Sequence, residues 1–147
     1  MTRQLRLVGF LAALTGILPG CTSDENKVGL MDLVGDYTAT KLVFVSVANP
    51  SDQFDAIQAG ITFDLNIASG GDYSITVHSP GDPDDVTTGT VILNGDKITL
   101  DSSDPISGTF TLNGNKLTIH ITTGAEYDFD GDGTDDPATV DVIFQRT

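Results

Sequence analysis

The sequence predicts an all-β fold, with eight antiparallel strands wound up and down into a barrel. Three observations carry this. Apolar and polar residues alternate with period 2 in run after run, short Gly- and Asn-rich turns separate the runs, and no stretch after residue 32 sustains a 3.6-residue period. At 147 residues the chain is one domain with room for one core.

In chain order the strands read as about 35–47, 60–68, 72–79, 87–93, 97–102, 106–112, 116–123 and 138–146. The segment 48–59 between the first two contains Asn49-Pro50-Ser51-Asp52, where Ser51 or Asp52 is placed to cap one helical turn. In the second strand Ile61, Phe63, Leu65 and Ile67 alternate with Thr62, Asp64 and Asn66. In the third, Tyr73, Ile75 and Val77 alternate with polar neighbours, and Ser69-Gly70-Gly71-Asp72 turns the chain between the two. Asn94-Gly95 and Asn113-Gly114 each sit between alternating runs, as a type I′ hairpin turn requires. These two hairpins form a near-repeat: residues 89–100 match 108–119 at seven of twelve positions, offset by 19. The last two strands carry Leu117, Ile119 and Ile121, then Val140, Val142 and Phe144, on one face. A two-sheet Greek-key sandwich satisfies the same local pattern. The up-and-down barrel is the simpler closure, because it pairs sequential strands and leaves no edge open.

Ahead of the strands lies an address. Residues 1–20 contain no acid, carry Arg3 and Arg6, and include an almost wholly apolar run, Leu7–Leu18. These are the n-region and h-region of an export signal, and the run falls short of the about 20 residues a permanent span needs. Leu18-Pro19-Gly20-Cys21 resembles the lipobox of bacterial lipoproteins, with Pro19 a departure at the second position. Cys21 is the chain's one cysteine and has no internal disulfide partner; the resemblance makes it the lipidated residue. The expected organisation is a signal peptide over 1–20, lipidated Cys21 with a polar tether over 21–32, and the β domain over 33–147. The expected partner is a membrane, reached through the lipid on Cys21. Thr22, where Asp would signal inner-membrane retention, points to the outer membrane of a bacterial cell envelope.

Acids outnumber Lys and Arg by 21 to 7, and 19 of the acids are Asp. Removing residues 1–20 leaves five basic residues against all 21 acids, a net charge of −16. No basic footprint for nucleic acid exists in such a chain. Asp favours turns, and one turn goes further. Asp128-Phe129-Asp130-Gly131-Asp132-Gly133-Thr134-Asp135-Asp136 places carboxylates at alternate positions, a backbone carbonyl at Thr134 and a closing acid at Asp136. Ca²⁺ takes six to eight hard oxygens, and Asp128, Asp130, Asp132, Thr134 and Asp136 are the expected ligands of a structural calcium ion. Position 12 of an EF-hand would be acidic but is Thr139 here, and the flanks read as strands, so the pattern is closer to the short calcium loops of integrin-type propeller repeats. The acidic Asp82-Pro83-Asp84-Asp85 lacks this spacing and reads as an ordinary loop.

No nucleophile elbow, zinc-binding His motif or phosphate loop is present, and His78 and His120 fall on polar strand faces. No catalytic residue is assigned, and the chain is not expected to be an enzyme.

Leu33-Val34-Gly35-Asp36-Tyr37 opening a strand, Gly71-Asp72-Tyr73 after the second strand, and the repeated Gly-Thr-x-x-Leu-Asn-Gly-x-Lys together resemble the bacterial lipocalin-like domains, small exported and often lipidated barrels. The resemblance spans most of 33–147. It implies a barrel that holds a small apolar ligand. It also implies that Gly35-x-Tyr37 stands where lipocalins have Gly-x-Trp, with Arg146 stacked over Tyr37 as a plug of the barrel base. The alternative is an envelope module for structure or protein interaction that holds no small molecule. Cavity volume separates the two.

Overall fold

The computed structural model describes residues 27–147. Cys21, Thr22 and the expected signal peptide lie outside the described residues. A single turn of helix, α1 (Leu30–Leu33), leads into nine strands: β1 (Gly35–Ser46), β2 (Gln53–Asp55), β3 (Thr62–Ile67), β4 (Asp72–His78), β5 (Asp85–Asn94), β6 (Lys97–Asp101), β7 (Ile106–Asn113), β8 (Lys116–Tyr127) and β9 (Asp136–Arg146). All pairings are antiparallel. Each of β3 to β8 pairs with the next strand, and β1 pairs with both β3 and β9, which closes an eight-strand up-and-down barrel. The eight expected strands are its staves, and the sandwich is excluded by this order.

Three local features depart from expectation. Segment 48–59 contains a ninth, three-residue strand, β2, laid on the outer part of β1 by the pairs Val43–Asp55, Phe44–Phe54 and Val45–Gln53. No helical turn follows Ser51 or Asp52, because β2 begins at Gln53; the chain turns only beyond β2, over 56–60, where the Gln58 amide donates to Asp55 Oδ1 at 3.1 Å. The hairpin β8–β9 is also longer than the alternation suggested. Its ladder shifts between Ile121 and Ala125 and then resumes to Tyr127–Asp136. The described part of the tether lies against the barrel base: Val28 and Leu30 pack on the core and Leu33 is fully buried.

The bulge in β1 between Ala39 and Lys41 resets the alternation, so that Tyr37 and Ala39, then Leu42 and Phe44, face inward. At the base, Leu33, Tyr37, Leu65, Ile67, Ile98 and Leu117 are almost fully buried. Arg146 lies 5.1 Å from the Tyr37 ring centroid and donates from Nε to the Tyr37 hydroxyl at 3.2 Å. Its Nη2 donates to the same hydroxyl and to the Asp32 carbonyl. The Tyr37 hydroxyl in turn donates to the Leu33 carbonyl at 2.9 Å. A buried phenol needs such partners, and here they tie α1, β1 and β9 together. The plug implied by Gly35-x-Tyr37 and Arg146 is thus present.

The near-repeat has a structural cause. A Cβ at Gly108 would collide with the backbone carbonyl of His120, and one at Gly89 with that of Asp101. Asp101 and His120 are themselves 19 residues apart, so both hairpins repeat the same close backbone approach where the barrel wall bends.

On the outer wall His78 bridges two carboxylates. Nδ1 lies 2.7 Å from Asp84 Oδ1 and Nε2 lies 3.2 Å from Asp64 Oδ2, while Asp64 Oδ1 accepts from Thr38 at 2.6 Å. The hydrogen bond that the imidazole donates to Asp84, supported by the Asp64 contact, raises the imidazole pKa above its ordinary value.

Two outcomes are expected. Gly108→Ala destabilises the fold by about 1–3 kcal/mol, read as a lower denaturant midpoint, because backbone and not a movable side chain blocks the added methyl. His78 has a raised folded pKa, so its contribution is full below the unfolded value near ~6.5 and is lost as pH rises through the folded value. The melting temperature therefore falls modestly between about pH 6 and pH 8, and His78→Gln flattens that slope.

Candidate functional site

The two ends of the barrel differ. At the base the turns are tight and α1 fills the opening. At the other end four longer connections, 47–61, 79–84, 102–105 and 128–135, surround an interior that side chains do not fill. A cavity of about 270 Å³ lies there. Its walls come from the inward faces of seven strands, with Leu42, Phe63, Ile75, Leu100, Ile121 and Val140 representative. The lining is apolar except at Glu126, which stands exposed at the rim. A second recess of about 270 Å³ shares Phe63, Ile75 and Ile106 with the first and is bounded by Ser102, Ser103 and Asp104. It opens where the β5–β6 ladder stops at Thr90–Asp101, leaving 85–89 paired to β4 alone.

Four aromatic side chains cluster at the rim. Phe54 and Tyr127 stack at 4.5 Å and 11°, Phe44 lies 5.5 Å from Tyr127, and Phe129 meets Tyr127 edge-on at 5.0 Å. Phe44 also lines the cavity, and Tyr127 lies two residues along the inward face from Ala125, another lining residue. The cluster thus joins β1, β2 and β8 above the void. Sequence reasoning missed it. Phe44 could be placed inward by alternation, but Phe54 sits in the unassigned segment and Phe129 between two acids, and nothing local links residues so far apart in the chain.

The Asp-rich loop 128–135 is ordered by its own carboxylates. Asp128 Oδ1 accepts from the Gly131 amide at 2.7 Å and Oδ2 from the Gly133 amide at 3.0 Å. Asp130 accepts from the Asp132 amide at 3.1 Å, and Asp132 from the Thr134 amide at 2.7 Å. The Gly133 amide first, with Gly131, holds the Asp128 carboxyl below its ordinary pKa. Ligand atoms of Asp128, Asp130 and Asp132 all lie within 4.8 Å of one another. Thr134 follows this group in the loop. Asp136 is outside it, at the first position of β9 opposite Tyr127. Of the five expected ligands the fold therefore draws three carboxylates together.

Both histidines face away from the cavity. His120 Nδ1 lies 2.7 Å from Asp141 Oδ1 on the outer wall, and His78 holds Asp64 and Asp84 as described. Asp84, read from the sequence as loop filler, has this definite partner.

A search of curated proteins finds no match to the chain. A family model described as a lipocalin-like domain matches residues 33–131. That span covers the strands from β1 through β8, the Tyr37 side of the plug and the cavity wall except for Val140, Val142 and Phe144 of β9. On that match the chain belongs to the lipocalin-like domain family.

Proposed function

We propose that this protein is a binding module of the cell envelope, anchored by lipid at Cys21, whose barrel holds a small apolar ligand. The observation that carries the ligand reading is the apolar cavity of about 270 Å³ at the unplugged end. That size is close to the lower bound of ordinary ligand pockets, ~300 Å³. It favours this reading over an envelope module without a small-molecule site, for which a filled interior would be expected. At ~30 Å³ for each water-sized group, the cavity takes roughly nine heavy atoms of an apolar chain. Burying them contributes about 7 kcal/mol at ~0.8 kcal/mol per methylene, against an association cost of ~4 kcal/mol or more. Tail burial alone therefore gives weak binding, and contacts at the rim decide the affinity. The export signal and lipobox support the anchor, and Thr22 the outer membrane.

We also propose a structural calcium ion in the 128–135 loop. The convergence of Asp128, Asp130 and Asp132 supports it. The Thr134 carbonyl and Asp136 are the further oxygens the loop offers. The ion would screen carboxylates that otherwise repel one another and would stiffen the support of the rim residues Tyr127 and Phe129.

Two measurements test these readings. Mass spectrometry of the protein isolated from its own host is expected to show a chain starting at acylated Cys21. Under native conditions it is expected to show a bound small molecule that Ile121→Phe, by filling the void, removes. An unprocessed N-terminus overturns the anchor, and an empty barrel overturns the ligand. Calcium is tested by thermal melts. With free Ca²⁺ a hundredfold above its Kd, stability rises by about 2.7 kcal/mol and the melting temperature by roughly 10 °C. Asp130→Asn diminishes that gain. A midpoint equal in Ca²⁺ and in chelator overturns the site.

A further inference from the structure

This inference rests on the ligand-holding reading of the barrel and specifies the class of ligand. The charge of the chain is distributed unevenly along the barrel axis. The four connections around the cavity, 47–61, 79–84, 102–105 and 128–135, contain nine Asp and no Lys or Arg. Glu126 is the one charged residue bordering the cavity, on the strand face opposite Ala125 and Tyr127. The basic residues of the described chain lie elsewhere. Lys97, Lys116 and Arg146 are at the packed base, Lys27 lies beside Gly95 at that same end, and Lys41 is on the outer wall 3.9 Å from Asp141. A mouth lined by one sign of charge over an apolar interior focuses its field on whatever approaches. It repels a carboxylate or phosphate head and draws a cation. One calcium ion in the 128–135 loop would cancel two charges and leave the sign of this end unchanged.

The aromatic cluster makes the same selection by different physics. Phe44, Phe54, Tyr127 and Phe129 are each only partly buried, so the cluster keeps ring surface in reach of a ligand head held at the rim. Aromatic faces attract cations within about 6 Å, and quaternary ammonium groups are recognised in this way. The chain has seven Phe and three Tyr, and four of those ten stand together at this rim.

We propose that the barrel selects amphiphiles by charge, taking a single apolar tail of roughly nine heavy atoms into the cavity and holding a cationic amine or quaternary ammonium head at the aromatic rim, inside the ring of acidic connections. Anionic amphiphiles of the same tail are excluded.

The test compares three probes that share a ten-carbon tail, namely decyltrimethylammonium, decanol and decanoate. Each is titrated calorimetrically into the full chain below its micelle concentration. Decyltrimethylammonium is expected to bind on the order of tenfold or more tighter than decanoate at low salt, with decanol between them. The gap narrows at about 0.5 M salt, where screening shortens the reach of the rim charges. Glu126→Gln, at an exposed position, narrows it as well, and Phe54→Leu weakens the ammonium probe more than it weakens decanol. Decanoate binding as tightly as the ammonium probe, or a gap insensitive to both salt and Glu126→Gln, overturns charge selection while leaving the ligand-holding barrel standing. Failure of all three probes, decanol included, overturns the barrel's ligand role and this inference with it.

Discussion

Everything in this barrel depends on the seam between β1 and β9. β1 is the one strand that must pair on both sides with partners far away in the chain, with Gly35–Ile67 to Thr38–Asp64 on one side and Tyr37–Arg146 to Ser46–Ala138 on the other. Without the second ladder, β1 and β9 would each present a row of unpaired donors and acceptors, the usual liability of an open sheet. The seam is secured at one end by Arg146, whose guanidinium bonds the Tyr37 hydroxyl and the Asp32 carbonyl. The same contact closes the bottom of the barrel, because it draws α1 and Leu33 across the opening. A single arginine thus joins strand pairing, core closure and the docking of the N-terminal segment. Its stacking over Tyr37 adds a smaller contribution to the hydrogen bonds, of about 0.5–2 kcal/mol.

Closure of the base lets the other end remain hollow. Most residues of lowest exposure, Leu33, Tyr37, Leu65, Ile67, Ile98 and Leu117, are at or near the plugged end, with Ile119 on the cavity wall and Ala56 in the 47–61 connection the exceptions. The inward side chains farther along, among them Phe63, Ile75 and Ile106, are only partly buried and line a void instead of meeting one another. An eight-stranded barrel has just enough width for either outcome, a filled interior or one small ligand. Here the division falls along the axis: the base supplies the packing and the mouth supplies the space.

The strands were legible in the sequence because each has one apolar and one polar face, and because Asn94-Gly95 and Asn113-Gly114 fix two hairpins locally. Tyr37 and Arg146 were legible through family resemblance. β2 was not, since three residues are too few for an alternation to register, and Gln53–Asp55 become a strand only because β1 offers a partner. The far half of β8 was hidden by Thr122-Thr123-Gly124, where the ladder slips and alternation no longer reports pairing. The cavity could not be read from any local pattern, because it is a difference between the width of the barrel and the volume of side chains from seven strands. The Asp loop shows the opposite case. Its spacing was plain, and the fold adds that Asp128, Asp130 and Asp132 converge while Asp136 is taken into β9.

The Asp excess acquires a direction from this geometry. Tight turns such as Asn94-Gly95 need little length, and they gather at the base with Lys27, Lys97, Lys116 and Arg146. The longer connections need residues that favour loops, and Asp is one that both bends the chain and keeps it soluble. Placing those connections around the cavity concentrates negative charge where an apolar interior meets water. An exposed apolar opening is a site for unwanted association, and a ring of like charges opposes the approach of a second copy of the same acidic chain. The charge that protects the mouth also biases what can pass through it. Protection against self-association and selection by charge are therefore two consequences of one arrangement of loops.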